Sequence, residues 1–74
     1  MASSIEGINR FLDELKDQFK IKTESELAKF MGIKWSSLYK VRNGYSFFGP
    51  SYILSVHEVF DIPIKEIKER VNGR

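Results

Sequence analysis

The chain of 74 residues contains no cysteine and only one histidine, His57. It therefore has no disulfide, no thiolate nucleophile and no cysteine metal ligand, and a single histidine excludes a multi-histidine metal cluster. A small domain without disulfide or metal depends on its apolar core. The hydrophobic share of 42% is enough for one compact domain over residues 1–74. We expect no cofactor and no metal.

Long hydrophobic runs are also missing. No stretch approaches the length of about 20 apolar residues that is needed to cross a bilayer. Residues 1–4 lack the basic region and following apolar run of a signal peptide. We therefore expect no membrane partner and a cytoplasmic location.

Little in the sequence supports catalysis. The acidic residues of the C-terminal half lack the convergent partners that acid–base chemistry needs; they are Glu58, Asp61, Glu66 and Glu69. Ser36 and Ser37 have no histidine nearby in sequence, and no glycine-rich phosphate loop is present. His57 lies in an apolar helical pattern, which is more typical of a surface or packed residue than of a ligand. We expect neither an enzyme nor a small-molecule substrate.

Positive charge is concentrated in one segment. Residues 1–19 carry two basic and four acidic side chains, residues 20–45 carry six basic and two acidic, and residues 46–74 carry four of each. A local excess of positive charge attracts a polyanion and releases its counterions on contact. The alternative is a solvated charged face with no such role.

The apolar pattern is helical almost throughout and predicts an all-α, compact bundle of five short helices. The first stripe has spacings of three and four and consists of Ile5, Ile8, Leu12, Leu15 and Phe19. Ser3 and Glu6 have capping-box spacing ahead of it, and Thr23 and Glu26 repeat that spacing ahead of a second helix.

Gly32 suits the end of the second helix, because glycine readily takes a left-handed conformation. A third helix is predicted from Trp35 to Arg42, and Asn43-Gly44 stops it. Pro50 suits a helix start. The fourth stripe contains Tyr52, Ile53, Val56, Val59 and Phe60; after the break at Asp61-Ile62-Pro63, the fifth contains Ile64, Ile67 and Val71.

The second and third helices together predict a helix-turn-helix. Ala28 supplies the small residue that two steeply crossing helices need where their backbones approach, and Gly32 supplies the tight turn. The apolar residues expected on the inner faces are Leu27, Met31, Ile33, Leu38 and Val41.

The segment TESELAKFMGIKWSSLYKVRNG, residues 23–44, resembles the helix-turn-helix of the lambda-repressor-like family, which includes phage repressors and Cro proteins. Leu27-Ala28, Gly32 and Asn43-Gly44 fall in register, and the similarity continues through Pro50-Ser51 to the corner at residues 60–63. The resemblance implies a homodimer on a near-palindromic DNA operator, regulation of transcription, and a location at the nucleoid of a bacterial host cell.

Several residues are expected at DNA. With Leu38 and Val41 inward, the opposite side of the third helix, with Trp35 at its leading end, faces the major groove of double-stranded DNA. The expected base contacts are Trp35, Ser36, Tyr39 and Lys40. The resemblance assigns base edges to three of these, Trp35, Ser36 and Lys40, and the DNA backbone to Asn43. The expected phosphate contacts are Thr23, Lys34, Asn43, Tyr45 and Ser46.

Two positions depart from the family pattern. Glu24 stands where a phosphate-binding glutamine is frequent, and a carboxylate is repelled by phosphate unless it pairs with a lysine such as Lys34. Trp35 replaces a more usual polar residue, and it either stacks on the sugar-phosphate edge or a thymine methyl group, or fills a gap beside Phe30.

The loop at residues 45–49 is aromatic and about two residues longer than the family's common form. Phe47 and Phe48 either cover the core, or the loop places Tyr45 or Ser46 against the DNA backbone.

Three further alternatives stay open. Ile64, Ile67 and Val71 either form a dimerisation surface or pack inward on the first helix. The chain either binds DNA or is a protein-interaction module that has kept this fold and lost DNA binding, such as an antirepressor or antitoxin-like adaptor. Glu24 and the aromatic loop favour the second alternative. The chain is either a full-length regulator or the N-terminal domain of a longer repressor.

Overall fold

A computed structural model describes residues 5–72. These residues form five α-helices and no strand: α1 Ile5–Gln18, α2 Glu24–Met31, α3 Trp35–Arg42, α4 Pro50–Phe60 and α5 Ile64–Val71. The prediction of a compact all-α bundle of five short helices is confirmed. The capping box predicted for Ser3 and Glu6 lies outside the described residues, because it depends on Ser3.

One apolar core joins all five helices. Its side chains are Ile8, Phe11, Leu12, Leu15, Ile21, Leu27, Ala28, Met31, Leu38, Val41, Phe48, Val56, Phe60, Ile62, Ile67 and Val71. The ends of the first predicted stripe lie outside it, since Ile5 and Phe19 are exposed, whereas Phe11 is buried although the stripe did not include it. In α4, Val56 and Phe60 are buried as predicted but Val59 is exposed.

Local signals set the bounds of α2. The Thr23 hydroxyl accepts a hydrogen bond from the Glu26 backbone N–H at 3.1 Å, and the Glu26 carboxylate accepts one from the Thr23 N–H at 3.3 Å. Each therefore satisfies a donor that the start of a helix leaves unpaired. At the other end Gly32 has φ +71°, and its N–H donates to carbonyls of the last turn. Both predicted signals are confirmed.

The connection from α2 to α3 is three residues long, 32–34. The Ile33 N–H donates to the Ala28 carbonyl at 3.0 Å, the Ala28 side chain is buried, and the two helices pack together. A small residue lets the backbones approach, and the turn then directs α3 across α2. The sequence thus determines where α3 begins and which side of it meets the core.

Gly44 ends α3 and also permits a close contact. It has φ +78°, and a Cβ atom at this position would lie 2.6 Å from the Cδ1 atom of Ile5. The left-handed backbone favours glycine here, whereas the Ile5 side chain is exposed and flexible and can move away from a Cβ atom.

The fifth helix packs inward on α1. Ile67 and Val71 are buried in the core, and only Ile64 of the three predicted dimerisation residues is exposed. Arg70 reinforces this packing, because its guanidinium lies 4.6 Å from the centroid of the Phe11 ring and pairs with Glu14 at 2.6 Å. The expectation that Ile67 and Val71 offer a dimer surface is therefore corrected: the chain's own first helix covers them.

Among residues 5–72, no helix combines the length and apolar character that crossing a membrane requires.

We predict that Gly32→Ala lowers the free energy of unfolding by about 1–2 kcal/mol, the cost of a left-handed conformation for a residue with a Cβ. A Cβ at Gly32 meets no atom within 4 Å, so the loss reports the backbone and not a clash. Urea unfolding measures it. Gly32→Asn is the control and loses less, because asparagine tolerates this conformation; equal stability of wild type and Gly32→Ala would contradict the assignment.

Candidate nucleic-acid interface

The third helix has one buried and one exposed side. Leu38 and Val41 are buried in the core, as predicted. The four predicted base-contacting residues, Trp35, Ser36, Tyr39 and Lys40, are all exposed. The structure thus brings these four side chains together on the side of α3 that the core leaves uncovered. We call this set the α3 outer face.

Four of the predicted phosphate-contacting residues lie at the two ends of α3. Lys34 is the exposed N-cap residue, and Asn43 is the exposed C-cap residue. The Asn43 side-chain amide donates to the Tyr39 carbonyl at 2.8 Å, so its orientation is fixed by α3 itself. Tyr45 and Ser46 follow directly, with Tyr45 exposed and Ser46 half-buried.

Thr23 is placed differently. Its backbone N–H and its hydroxyl both lie within hydrogen-bond distance of the Glu26 carboxylate, at 3.3 and 3.4 Å. A phosphate at this point would compete with that carboxylate and be repelled by it. The donors of Thr23 serve the start of α2, so its phosphate contact stays a prediction that this geometry does not favour.

Arg42 pairs with Glu24 through two parallel hydrogen bonds. Its Nε and Nη2 atoms each donate to one Glu24 carboxylate oxygen at 2.8 Å. Lys16 Nζ donates to the same carboxylate at 2.8 Å. Two-point pairing of arginine with a carboxylate fixes the relative orientation of the two groups. The last turn of α3 is therefore tied to the first turn of α2.

The remaining Arg42 nitrogen, Nη1, faces α1. It lies 3.0 Å from the Asn9 side-chain oxygen and 3.0 Å from an Asp13 carboxylate oxygen. In return the Asn9 amide donates to the Arg42 backbone carbonyl at 2.8 Å. We call Asn9, Asp13, Lys16, Glu24 and Arg42 the Arg42 network. It joins α1, α2 and α3 at one point.

Glu24 stays ionised in this network. Partial burial opposes ionisation, but the hydrogen bonds from Arg42 and Lys16, together with their charges, outweigh it and hold the pKa of Glu24 below its ordinary value. The Arg42 side chain is only 15% exposed. The two opposite charges therefore compensate one another where each is partly removed from water.

Glu24 does pair with a lysine, but the lysine is Lys16 rather than Lys34, and Arg42 is a second partner that was not expected. Arg42 was expected only as one of the basic charges of residues 20–45, and its structural role was not predicted. A signal was present on α1, where Asn9, Asp13 and Lys16 are separated by four and three residues and so share one side of a helix. The spacing does not show which residues of other helices contact that polar side.

Trp35 points away from the core. Its ring stacks on that of Tyr39, with centroids 5.6 Å apart and planes at 23°. The exposed fractions of the two residues are 52% and 50%. Phe30 instead packs near Phe60. The structure therefore excludes the alternative that Trp35 fills a gap beside Phe30.

Of the two aromatic residues expected to cover the core, Phe48 does so and Phe47 does not. Phe48 is 2% exposed, and its ring packs against those of Phe11 and Tyr52. Phe47 is 69% exposed. One aromatic side chain thus anchors the loop in the core, while Tyr45 and Phe47 remain at the surface beside the end of α3.

We predict that Glu24→Gln destabilises the protein at neutral pH and that the difference disappears in acid. Because the folded-state pKa is lowered, Glu24 contributes fully at pH values above its ordinary pKa of 4.5, and the contribution is lost as pH falls through the lowered pKa. Urea unfolding of both proteins across this range measures the difference. Glu69→Gln on α5 is the matched control, since Glu69 is exposed and has no ion pair within residues 5–72. A pH-independent difference would contradict the assignment.

Comparisons with protein-family models, with curated proteins and with solved structures found no match to this chain. Inferences about its function therefore rest on its own residues and their geometry.

Proposed function

We propose that the chain is a sequence-specific DNA-binding regulator of transcription that inserts α3 into the major groove of double-stranded DNA. One observation carries the proposal: the α3 outer face is uncovered and combines aromatic, hydroxyl and ammonium groups. The major groove of B-DNA admits an α-helix and presents a distinct donor and acceptor pattern for each base pair. The short α2–α3 connection supports the assignment of these helices as a helix-turn-helix.

Each residue of the α3 outer face has a role suited to its chemistry. Lys40 donates to guanine O6 or N7, and Ser36 donates to or accepts from a base edge. Trp35 and Tyr39 supply apolar surface.

Phosphate contacts are assigned to the two ends of α3. Lys34 binds at one end, and Asn43, Tyr45 and Ser46 bind at the other. Such contacts fix the register of a protein on the duplex without reading sequence. Arg42 is left out of this set, because its guanidinium is occupied by Glu24, Asn9 and Asp13.

Binding as a homodimer fits the dimensions of the chain. Its longest axis is 29 Å. Two copies side by side can therefore place their third helices about 34 Å apart, one turn of B-DNA. Ile64 is the one exposed member of the predicted dimer surface, and Leu54 and Val59 on α4 are further exposed aliphatic side chains.

The resemblance of residues 23–44 to lambda-repressor-like proteins supports the same proposal and suggests a phage or prophage repressor or Cro-type protein. It also suggests the nucleoid of a bacterial cell as the place of action. The protein-interaction alternative depended partly on Glu24, and the pairing of Glu24 with Arg42 and Lys16 weakens it, because the carboxylate no longer presents a free negative charge.

We predict that Lys40→Ala weakens binding to the preferred duplex by about 1–3 kcal/mol, the discrimination of one good base contact. The fold is unaffected, since Lys40 is exposed. Selection from a random duplex pool identifies the site, and fluorescence titration measures affinity. Lys68→Ala, an exposed lysine on α5, is the control and changes affinity little. Unchanged affinity of Lys40→Ala would contradict this docking, and no duplex binding at low salt would favour the protein-interaction alternative.

A second prediction concerns salt. The logarithm of the binding constant falls with the logarithm of salt concentration, with a slope of about −0.9 for each phosphate neutralised by a cation, so one Lys34 in each copy of a homodimer gives about −1.8. Lys34→Ala reduces the magnitude of that slope by about 0.9 for each bound copy. Titrations at several salt concentrations measure both slopes. A flat response in the wild type would exclude the phosphate contacts.

A further inference from the structure

The stacked rings of Trp35 and Tyr39 are an unusual feature of the α3 outer face. The two residues lie one helical turn apart and expose about half of their surface each. Neither ring belongs to the apolar core. Other large apolar side chains of the chain are exposed too, but these two rings stack into one contiguous surface, and contiguous apolar patches are the kind that mark interaction sites.

The pair lies beside the Arg42 network. Trp35 and Tyr39 border one shallow depression together with Asp13, Glu24 and Arg42 of the Arg42 network. The stacking also restricts the rotamers of both side chains. A surface that is ordered before binding loses less conformational entropy when a ligand covers it.

The chemistry of the major groove offers one group that suits this surface. Base edges there carry hydrogen-bond donors and acceptors, and the apolar exception is the C5-methyl group of thymine. The face of an aromatic ring placed on a polar base edge would remove water without replacing its hydrogen bonds, which is unfavourable, because the Trp35 N–H and the Tyr39 hydroxyl lie at the ring edges. Placed on a methyl group, the same ring gains from apolar burial.

Stacking on an unpaired base is a poorer fit. Because the two rings lie against one another at 23°, each has at most one face left for a base. Single-stranded DNA is bound by aromatic rings on which successive bases stack. The pair instead offers ring edges and outer faces beside Lys40 and Ser36, which suits intact base pairs.

We propose that the Trp35–Tyr39 pair contacts thymine C5-methyl groups in the major groove and thereby selects thymine in each half-site. This inference rests on the proposed function, because it requires α3 to lie in the groove. The contact adds a preference for thymine that comes from apolar burial and not from a hydrogen bond. Replacing thymine by uracil removes the methyl group and leaves base pairing and every donor and acceptor in place.

The test uses the full chain and the duplex that it selects from a random pool, remade with uracil at one thymine at a time. We expect one or two positions per half-site where uracil weakens wild-type binding about fourfold, the value of one buried methyl group. At those positions Trp35→Ala or Tyr39→Ala binds the thymine and uracil duplexes equally. Thermal unfolding confirms that both variants are folded.

Two controls separate this inference from the proposed function. Lys40→Ala loses affinity but keeps the thymine-to-uracil difference, and Tyr39→Phe, which retains the ring, keeps it as well. Equal binding of all uracil duplexes by the wild type, or a difference that survives in both alanine variants, overturns the methyl contact while DNA binding stands. Stronger binding to the separated single strand than to the duplex overturns it in favour of base stacking. No binding to any duplex overturns both.

Discussion

The guanidinium of Arg42 holds together the part of the structure on which everything else depends. Two of its nitrogens meet Glu24 of α2, and the third meets Asn9 and Asp13 of α1. An arginine paired with a carboxylate at two points resists rotation as well as separation. Because Arg42 is the last residue of α3, this pairing fixes the end of the helix relative to both neighbours. The direction of the α3 outer face follows from that constraint.

An eight-residue helix needs such support. Helices this short are unstable in isolation, since few hydrogen bonds form for the entropy lost in nucleation. Leu38 and Val41 hold α3 to the core along one side only. The Arg42 network adds a polar restraint at the C-terminal end, and Gly32 sets the turn before its N-terminal end. The opposite side of α3 does not pack against the core, so its residues can contact a ligand without a loss of stability.

Local chemistry explains what the sequence predicted. The bounds of α2 and α3 followed from Thr23, Gly32 and Gly44, whose effects act within a few residues, and apolar spacing identified most of the core. In the Arg42 network, Arg42 contacts Glu24, which is 18 positions away in the sequence, and Asn9, which is 33 positions away. No local pattern specifies which cation meets which carboxylate. Phe47 and Phe48 are equally apolar neighbours, so only the path of the loop determines that Phe48 enters the core. The inward packing of Ile67 and Val71 likewise depends on the complementary surface of α1.

The Arg42 network also changes how the positive charge of residues 20–45 is understood. Six basic side chains lie in this segment, but Arg42 is compensated by Glu24 and Asp13, so the charge near α3 that remains for a polyanion belongs chiefly to Lys34 and Lys40. Phosphate contacts supply affinity without sequence information, whereas contacts to base edges supply specificity. If the proposed function holds, a helix with few free cations and two exposed aromatic rings draws a larger share of its binding free energy from the bases. In the proposed function, the pairing that lets Arg42 orient α3 also keeps Arg42 from binding phosphate non-specifically. The orientation of α3 and its selectivity for DNA sequence then arise from one interaction.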